Sequence, residues 1–200
     1  MGKTCDAQSA AIKNIDAWYS ELSNNGLDAI VINTSGCGTT VKDYHHMFQG
    51  TEHEEKAKVI AGLTKDISEI LVELELPDRA ENDINVAYHS ACSLQHGQQI
   101  SNSPKDMLKK CGYKISEPKN SHLCCGSAGT YNLLQPKISQ ELKNRKIQSL
   151  EAKKPDIIAA GNLGCMMQIS SSTNIPVVHT VELIDWATGG PKPNKLNDKH

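Results

Sequence analysis

Apolar residues recur at helical spacing near the start of the chain, at Ala11, Ile15, Trp18, Tyr19 and Leu22, and Asn24-Asn25-Gly26 supplies a stop. The unbroken run Ala29-Ile-Val-Ile32 then predicts a buried strand of a parallel sheet, delivering the loop Asn33-Thr-Ser-Gly-Cys-Gly38. A second helical pattern spans 54–74, with Ile60, Leu63, Ile67, Ile70, Leu71 and Leu74 on one face. Leu76-Pro77-Asp78 ends it, and 77–83 reads as a linker. Strands are predicted at 84–88, 113–116, 156–160 and 176–179, with helices at 104–110 and 181–186. Between them, Leu134, Ile138, Leu142, Ile147 and Leu150 mark a longer helix whose Pro136 fits only its first turn. The stretch from Gly189 onward is expected to fray. Strand, loop and helix alternate throughout, so the fold class is α/β with short, mainly parallel sheets.

Two stretches register when the chain is slid by 128 residues: Asp28-Ala-Ile-Val-Ile-Asn-Thr-Ser-Gly-Cys37 falls on Asp156-Ile-Ile-Ala-Ala-Gly-Asn-Leu-Gly-Cys165. Later, Ile67-Ser-Glu-Ile-Leu71 falls near Thr180-Val-Glu-Leu-Ile184. The expected organisation is a partial first repeat over 1–76, a linker over 77–83, a complete second repeat over 84–188 and a tail over 189–200. On this reading the first repeat is cut through its middle, the chain is the C-terminal part of something longer, and Cys37 is a stranded ligand.

The candidate chemistry lies in the cysteines. Cys92, the adjacent pair Cys124-Cys125 and Cys165 are spaced Cys-x31-Cys-Cys-x39-Cys, on three separate loops. Each lies just past a predicted strand or just before a helix, where loops of a parallel sheet converge and helix N-termini favour anionic sulfur. Four such thiols suit an iron–sulfur centre. Structural zinc and a redox-active thiol set are the alternatives. Zinc sites usually draw on tight Cys-x2-4-Cys knuckles, and none is present here, since Asn162 stands three residues before Cys165. Vicinal cysteines do not readily pair with each other, which disfavours the disulfide alternative. Cys5 and Cys111 are expected to be buried structural thiols. His89 and His122 flank the ligand loops, within reach to coordinate or hydrogen-bond a centre, and are expected to be outer partners or solvated.

Composition narrows the field. A formal charge of -2 over 200 residues implies no basic face for nucleic acid. No apolar run approaches the roughly 20 residues that span a bilayer, and no signal-peptide pattern opens the chain, so a cytoplasmic location is expected. Seven cysteines in a reducing compartment point to metal ligation or catalysis rather than disulfides. No Ser/His/Asp arrangement, paired-carboxylate signature or phosphate loop stands out, so no catalytic residue is assigned.

The cysteine set Cys92, Cys124-Cys125-Gly126 and Cys165 resembles the cysteine-rich CCG domain of the heterodisulfide reductases and their relatives. More narrowly, Asn33-Thr-Ser-Gly-Cys-Gly38, Val86-Ala-Tyr-His-Ser-Ala-Cys-Ser-Leu-Gln-His96, Cys124-Cys-Gly-Ser-Ala-Gly-Thr-Tyr-Asn132 and Val178-His-Thr-Val-Glu-Leu183 resemble glycolate oxidase (glycolate dehydrogenase) iron–sulfur subunits. The resemblance covers nearly the whole chain, without the two ferredoxin-type motifs that precede the CCG repeats in that family. It implies metal ligands at Cys92, Cys124, Cys125 and Cys165, a residual cofactor-binding position at Cys37, and a 4Fe-4S cluster. Heterodisulfide reductase-type domains carry a fifth cysteine where this chain has Asn162, which departs from the set for a non-cubane cluster. The implied role is electron transfer beside FAD-bearing subunits that oxidise glycolate, toward a membrane quinone, with peripheral association at the cytoplasmic face. The alternatives are a subunit of a lactate or glycerol-3-phosphate dehydrogenase complex, or a zinc-stabilised scaffold that passes no electrons.

Overall fold

The structure, a computed structural model, describes residues 2–74, 76 and 79–197; Pro77 and Asp78 of the expected linker lie outside the described residues. Helix α1 (Thr4–Asn25) buries Ala11 and Ile15 and stops at Gly26, whose φ of +78° suits a residue without a side chain. Strand β1 (Ile30–Ile32) follows, then α2 (Ser35–Lys42), α3 (Tyr44–Met47) and α4 (Glu54–Leu63). β1 is buried at Ile30, whereas Val31 is 47% exposed, so this strand is covered on one face rather than both.

The helix expected over 54–74 is broken. Thr64–Asp66 forms strand β2, paired in parallel with β1 so that Ile30 meets Thr64 and Ile32 meets Asp66. Helix α5 (Ile67–Glu73) then starts afresh. The physical reason is a capping box. Asp66 accepts from the Ser68 N–H, and Glu69 reaches back to the Asp66 N–H at 2.8 Å, which satisfies amides a continuous helix would have bonded internally.

The second half contains β3 (Asn85–His89), α6 (Ser103–Lys110), β4 (Lys114–Ser116), α7 (Tyr131–Leu134), α8 (Pro136–Glu151), β5 (Ile157–Ala160), α9 (Leu163–Ser170), β6 (Val177–His179) and α10 (Thr180–Ala187). Pro136 sits in the first turn of α8, where its missing N–H costs nothing. The sheet is parallel throughout, in the order β4-β3-β5-β6. From β3 the chain goes first to one side, to β4, and then returns to the other, to β5. The strand order therefore reverses between β3 and β5, where open parallel sheets place their binding crevice.

Side-chain alternation along the two central strands separates two cores. Val86, Tyr88, Ile157 and Ala159 pack toward α6 and α10, with Leu108 and Leu183. Ala87, Ile158 and Ala160 pack toward α8 and α9, with Leu150, Ile169 and the thiols of Cys125 and Cys165. A third core in the first half gathers Ile15, Ile30, Tyr44, Phe48 and Ile60. The two halves are in contact, since Leu71 of α5 and Leu76 pack against the α6–α10 core. Residues 189–197 do not fray as expected, and 198–200 of the expected tail lie outside the described residues. A short turn at Asn194–Leu196 docks Leu196 into that same core, because Leu196 supplies an apolar anchor beyond the prolines.

Candidate metal centre

Three loops meet at the carboxyl ends of β3 and β5. Cys92 lies three residues past the end of β3 and opens a π-helical turn (Ser93–Gly97). Cys124 and Cys125 lie on the crossover between β4 and α7. Cys165 falls in the first turn of α9, immediately after β5. The thiol of Cys92 is 3.8 Å from the sulfur of Cys124. Thiol contacts run on from Cys124 to Cys125 and from Cys125 to Cys165. A ring nitrogen of His89 lies within 4.8 Å of the Cys125 and Cys165 sulfurs.

Local chemistry explains how each loop is held. Gly126 has φ +88°, and a Cβ there would lie 2.3 Å from the carbonyl of Ser139, so glycine is required on both counts. The Gly126 carbonyl accepts from the Ser139 hydroxyl at 2.8 Å, and that hydroxyl accepts from the Gln168 amide at 2.9 Å. The Cys-Cys-Gly loop is thereby pinned to α8 and α9. Its amide also serves the site, as the Gly126 N–H points at the Cys124 sulfur, 3.3 Å away. Asn162 caps α9 by accepting from the Cys165 N–H at 3.1 Å, and its amide donates to Ser35 of α2 at 3.1 Å.

Electrostatics favour bound metal. The Cys124 and Cys165 thiols are lowered below the ordinary thiol range, each chiefly by the neighbouring Cys125 thiol. Cys125 and Cys92 are pushed up, each chiefly through the thiol contact with Cys124. Four thiols linked in a row of contacts cannot all ionise unaided, and thiolates are the metal-binding form. One cation is already built in. Lys146 of α8 is only 2% exposed and donates to the Asn120 and Ser121 carbonyls at 3.4 and 3.1 Å, on the loop that carries Cys124 and Cys125. Burial lowers its pKa, while the Cys125, Cys124, Cys165 and Cys92 sulfurs work in the opposite direction.

The structure brings together Cys92, Cys124, Cys125 and Cys165. It leaves Cys37 exposed on α2. Cys111 is buried in the α6–α10 core as expected, whereas Cys5 is exposed, because the buried side of α1 runs through Ala11 and Ile15 instead. His122 is exposed; His89 is 1% exposed and neither of its ring nitrogens has a hydrogen-bond partner among the described residues.

Apolar spacing alone misses the inward face of α8. Leu134 and Ile138 are exposed, while Ser139, Lys143, Lys146, Ile147 and Leu150 turn inward. The spacing of those five residues is itself helical, and polar residues at buried positions were the available signal. The residues present fit an iron–sulfur group: soft anionic donors, a buried imidazole without a partner, and a buried cation beside them.

Comparison with known proteins agrees with this geometry. Residues 86–170 match the family model of the CCG cysteine-rich domain. The chain is 36% identical over 179 residues to the glycolate oxidase iron-sulfur subunit of Escherichia coli (strain K12), covering 88% of this chain and 44% of that protein. It is 29% identical over 175 residues to the probable glycolate oxidase iron-sulfur subunit of Bacillus subtilis (strain 168), covering 82% and 39%. Lactate utilization protein A of Anoxybacillus flavithermus is 28% identical over 165 residues, covering 78% of this chain and 69% of the relative. The chain thus spans about two fifths of the length of the two glycolate oxidase subunits. The CCG match begins in β3 and ends with α9, so it encloses every thiol of the cluster. No helix among the described residues is long and apolar enough to cross a membrane.

Proposed function

We propose that this chain holds an iron–sulfur cluster, of the 4Fe-4S type, on Cys92, Cys124, Cys125 and Cys165, and is the electron-transfer part of a glycolate-oxidising complex. The single observation that carries the reading is the convergence of these thiols, from three loops, at the reversal point of the sheet. When bound, the cluster supplies one-electron chemistry at a potential set by its surroundings. Cys125 and Cys165 are buried and keep water from that side, whereas Cys92 and Cys124 are half-buried and form the edge nearest solvent. Lys146 offsets sulfur charge, and the Gly126 N–H points at the Cys124 sulfur. Both features favour the more negative, reduced state of the centre.

In the complex, electrons arrive from an FAD-bearing subunit that oxidises glycolate and leave toward the quinone pool, with the assembly peripheral on the cytoplasmic face of the membrane. Residues 1–76 and 84–188 act as two CCG-type units joined by 77–83. Leu163 and Met167, on either side of Cys165, are 60% and 63% exposed and offer apolar surface to a partner beside the centre.

The similarity to lactate utilization protein A, of which this chain covers 69%, supports a second reading with the same centre and a lactate-oxidising partner. Anaerobic purification tests the centre: brown protein with matching iron and acid-labile sulfide is expected, and colourless protein with one zinc would defeat it. Partner capture followed by turnover on glycolate against lactate separates the two complexes. Glycolate is the expected substrate.

A further inference from the structure

His89 is the last residue of β3 and shares the sheet face of Ala87, which the two-residue strand period turns toward α8 and the thiol cluster. It is almost wholly buried, and both ring nitrogens lack a hydrogen-bond partner among the described residues. An unpartnered buried polar atom costs folding free energy, and this ring carries two. Such a cost persists where a bound group relieves it. The nitrogen lies within 4.8 Å of the Cys125 and Cys165 sulfurs and faces the Cys165 thiol, a spacing compatible with donors that share one centre. Asn162 is excluded from the same role. Its carbonyl oxygen is taken by the Cys165 N–H and its amide by Ser35, so it faces the helix cap and the first unit.

We propose that His89 is a direct nitrogen ligand of the centre, a fifth donor beside the four cysteines. This inference rests on the iron–sulfur reading above. A neutral imidazole adds a donor without adding a negative charge. A cluster with histidine in its ligand set sits at higher potential than one held by thiolates alone.

The test is pulsed electron paramagnetic resonance on the full chain, purified anaerobically and reduced with dithionite, with and without 15N-histidine labelling. A strongly coupled nitrogen is expected, shifting from the 14N to the 15N pattern on labelling. It should be lost in His89→Ala and retained in His122→Ala, whose ring is exposed. His89→Cys should keep iron and sulfide, lose the nitrogen coupling and titrate at a lower midpoint potential. A wild-type cluster with normal iron and sulfide but no strongly coupled histidine nitrogen overturns the His89 assignment alone, whatever the variants do. Protein lacking iron and sulfide overturns the iron–sulfur reading and this assignment with it.

Discussion

The first and second halves of this chain use the same strand–loop–helix grammar and arrive at different ends. β1 leads into α2 through Thr34, and β5 leads into α9 through Asn162; both cap residues are extended. β2 leads into α5 and β6 into α10, and each junction carries a capping box, Asp66 with Glu69 and His179 with Glu182. The register that joins Cys37 to Cys165 therefore reflects matching local structure. Surroundings make the difference. Cys165 meets the Cys125 thiol of the β4–α7 crossover and the His89 ring at the end of β3, whereas Cys37 stands exposed on α2. The loop between β1 and α2 acts as a buttress instead. Ser35, fully buried, bonds the Ser93 hydroxyl at 2.8 Å and receives the Asn162 amide, and the Ser35 N–H donates to the Gly161 carbonyl. A cysteine in the right local frame makes a site only when other chain segments bring it partners.

Breaking the comparison at the thiols has the largest expected effect. Cys125→Ser should strip most of the iron and sulfide per chain on anaerobic purification, while Cys37→Ser and Cys111→Ser leave both unchanged. Equal metal content in Cys125→Ser and Cys111→Ser would defeat the ligand assignment.

Glycines give the next contrast. Gly126→Ala forces a side chain into positive φ and against the Ser139 carbonyl, and should cost at least ~2 kcal/mol in urea unfolding. Gly62→Ala, inside α4 of the first unit with open space at its Cβ, should instead stabilise by about 0.5–1 kcal/mol.

Lysines separate the halves more finely. Lys146→Met removes one donor from each of the Asn120 and Ser121 carbonyls, which keep the Leu123 N–H and the Gln95 amide, and should cost about 1 kcal/mol, with a lower midpoint potential from the lost charge. Lys42→Met, which breaks a partly exposed pair with Glu69, should cost no more than about 1 kcal/mol and leave the potential alone. The smallest contrast is at the helix caps. Asn162→Ala should lose about 1 kcal/mol, and Thr34→Ala, whose hydroxyl caps nothing, much less.

Much of this was legible beforehand, for identifiable reasons. The four central thiols could be paired with strand ends because buried parallel strands are short apolar runs, and Ile157–Ala160 is such a run. Pro136 marked the start of α8 because proline is tolerated in the first turn. The break at Thr64 was hidden because Ile60, Leu63, Ile67 and Ile70 keep helical spacing across a strand only three residues long. Its exposure depended on pairing with β1, more than thirty residues earlier in the chain.

The sequence by itself determined the alternation of strand and helix, the spacing of Cys92, Cys124, Cys125 and Cys165, and the likeness of the stretches that end at Cys37 and Cys165. These are local properties, encoded in period, cap and neighbouring residue. Only the tertiary structure decided that Cys37 is exposed, that Lys146 and Ser139 face inward, and that His89 is buried beside the thiols. Periodicity states which side of an element is covered; what covers it depends on segments tens of residues away, brought together by the packing of the whole sheet.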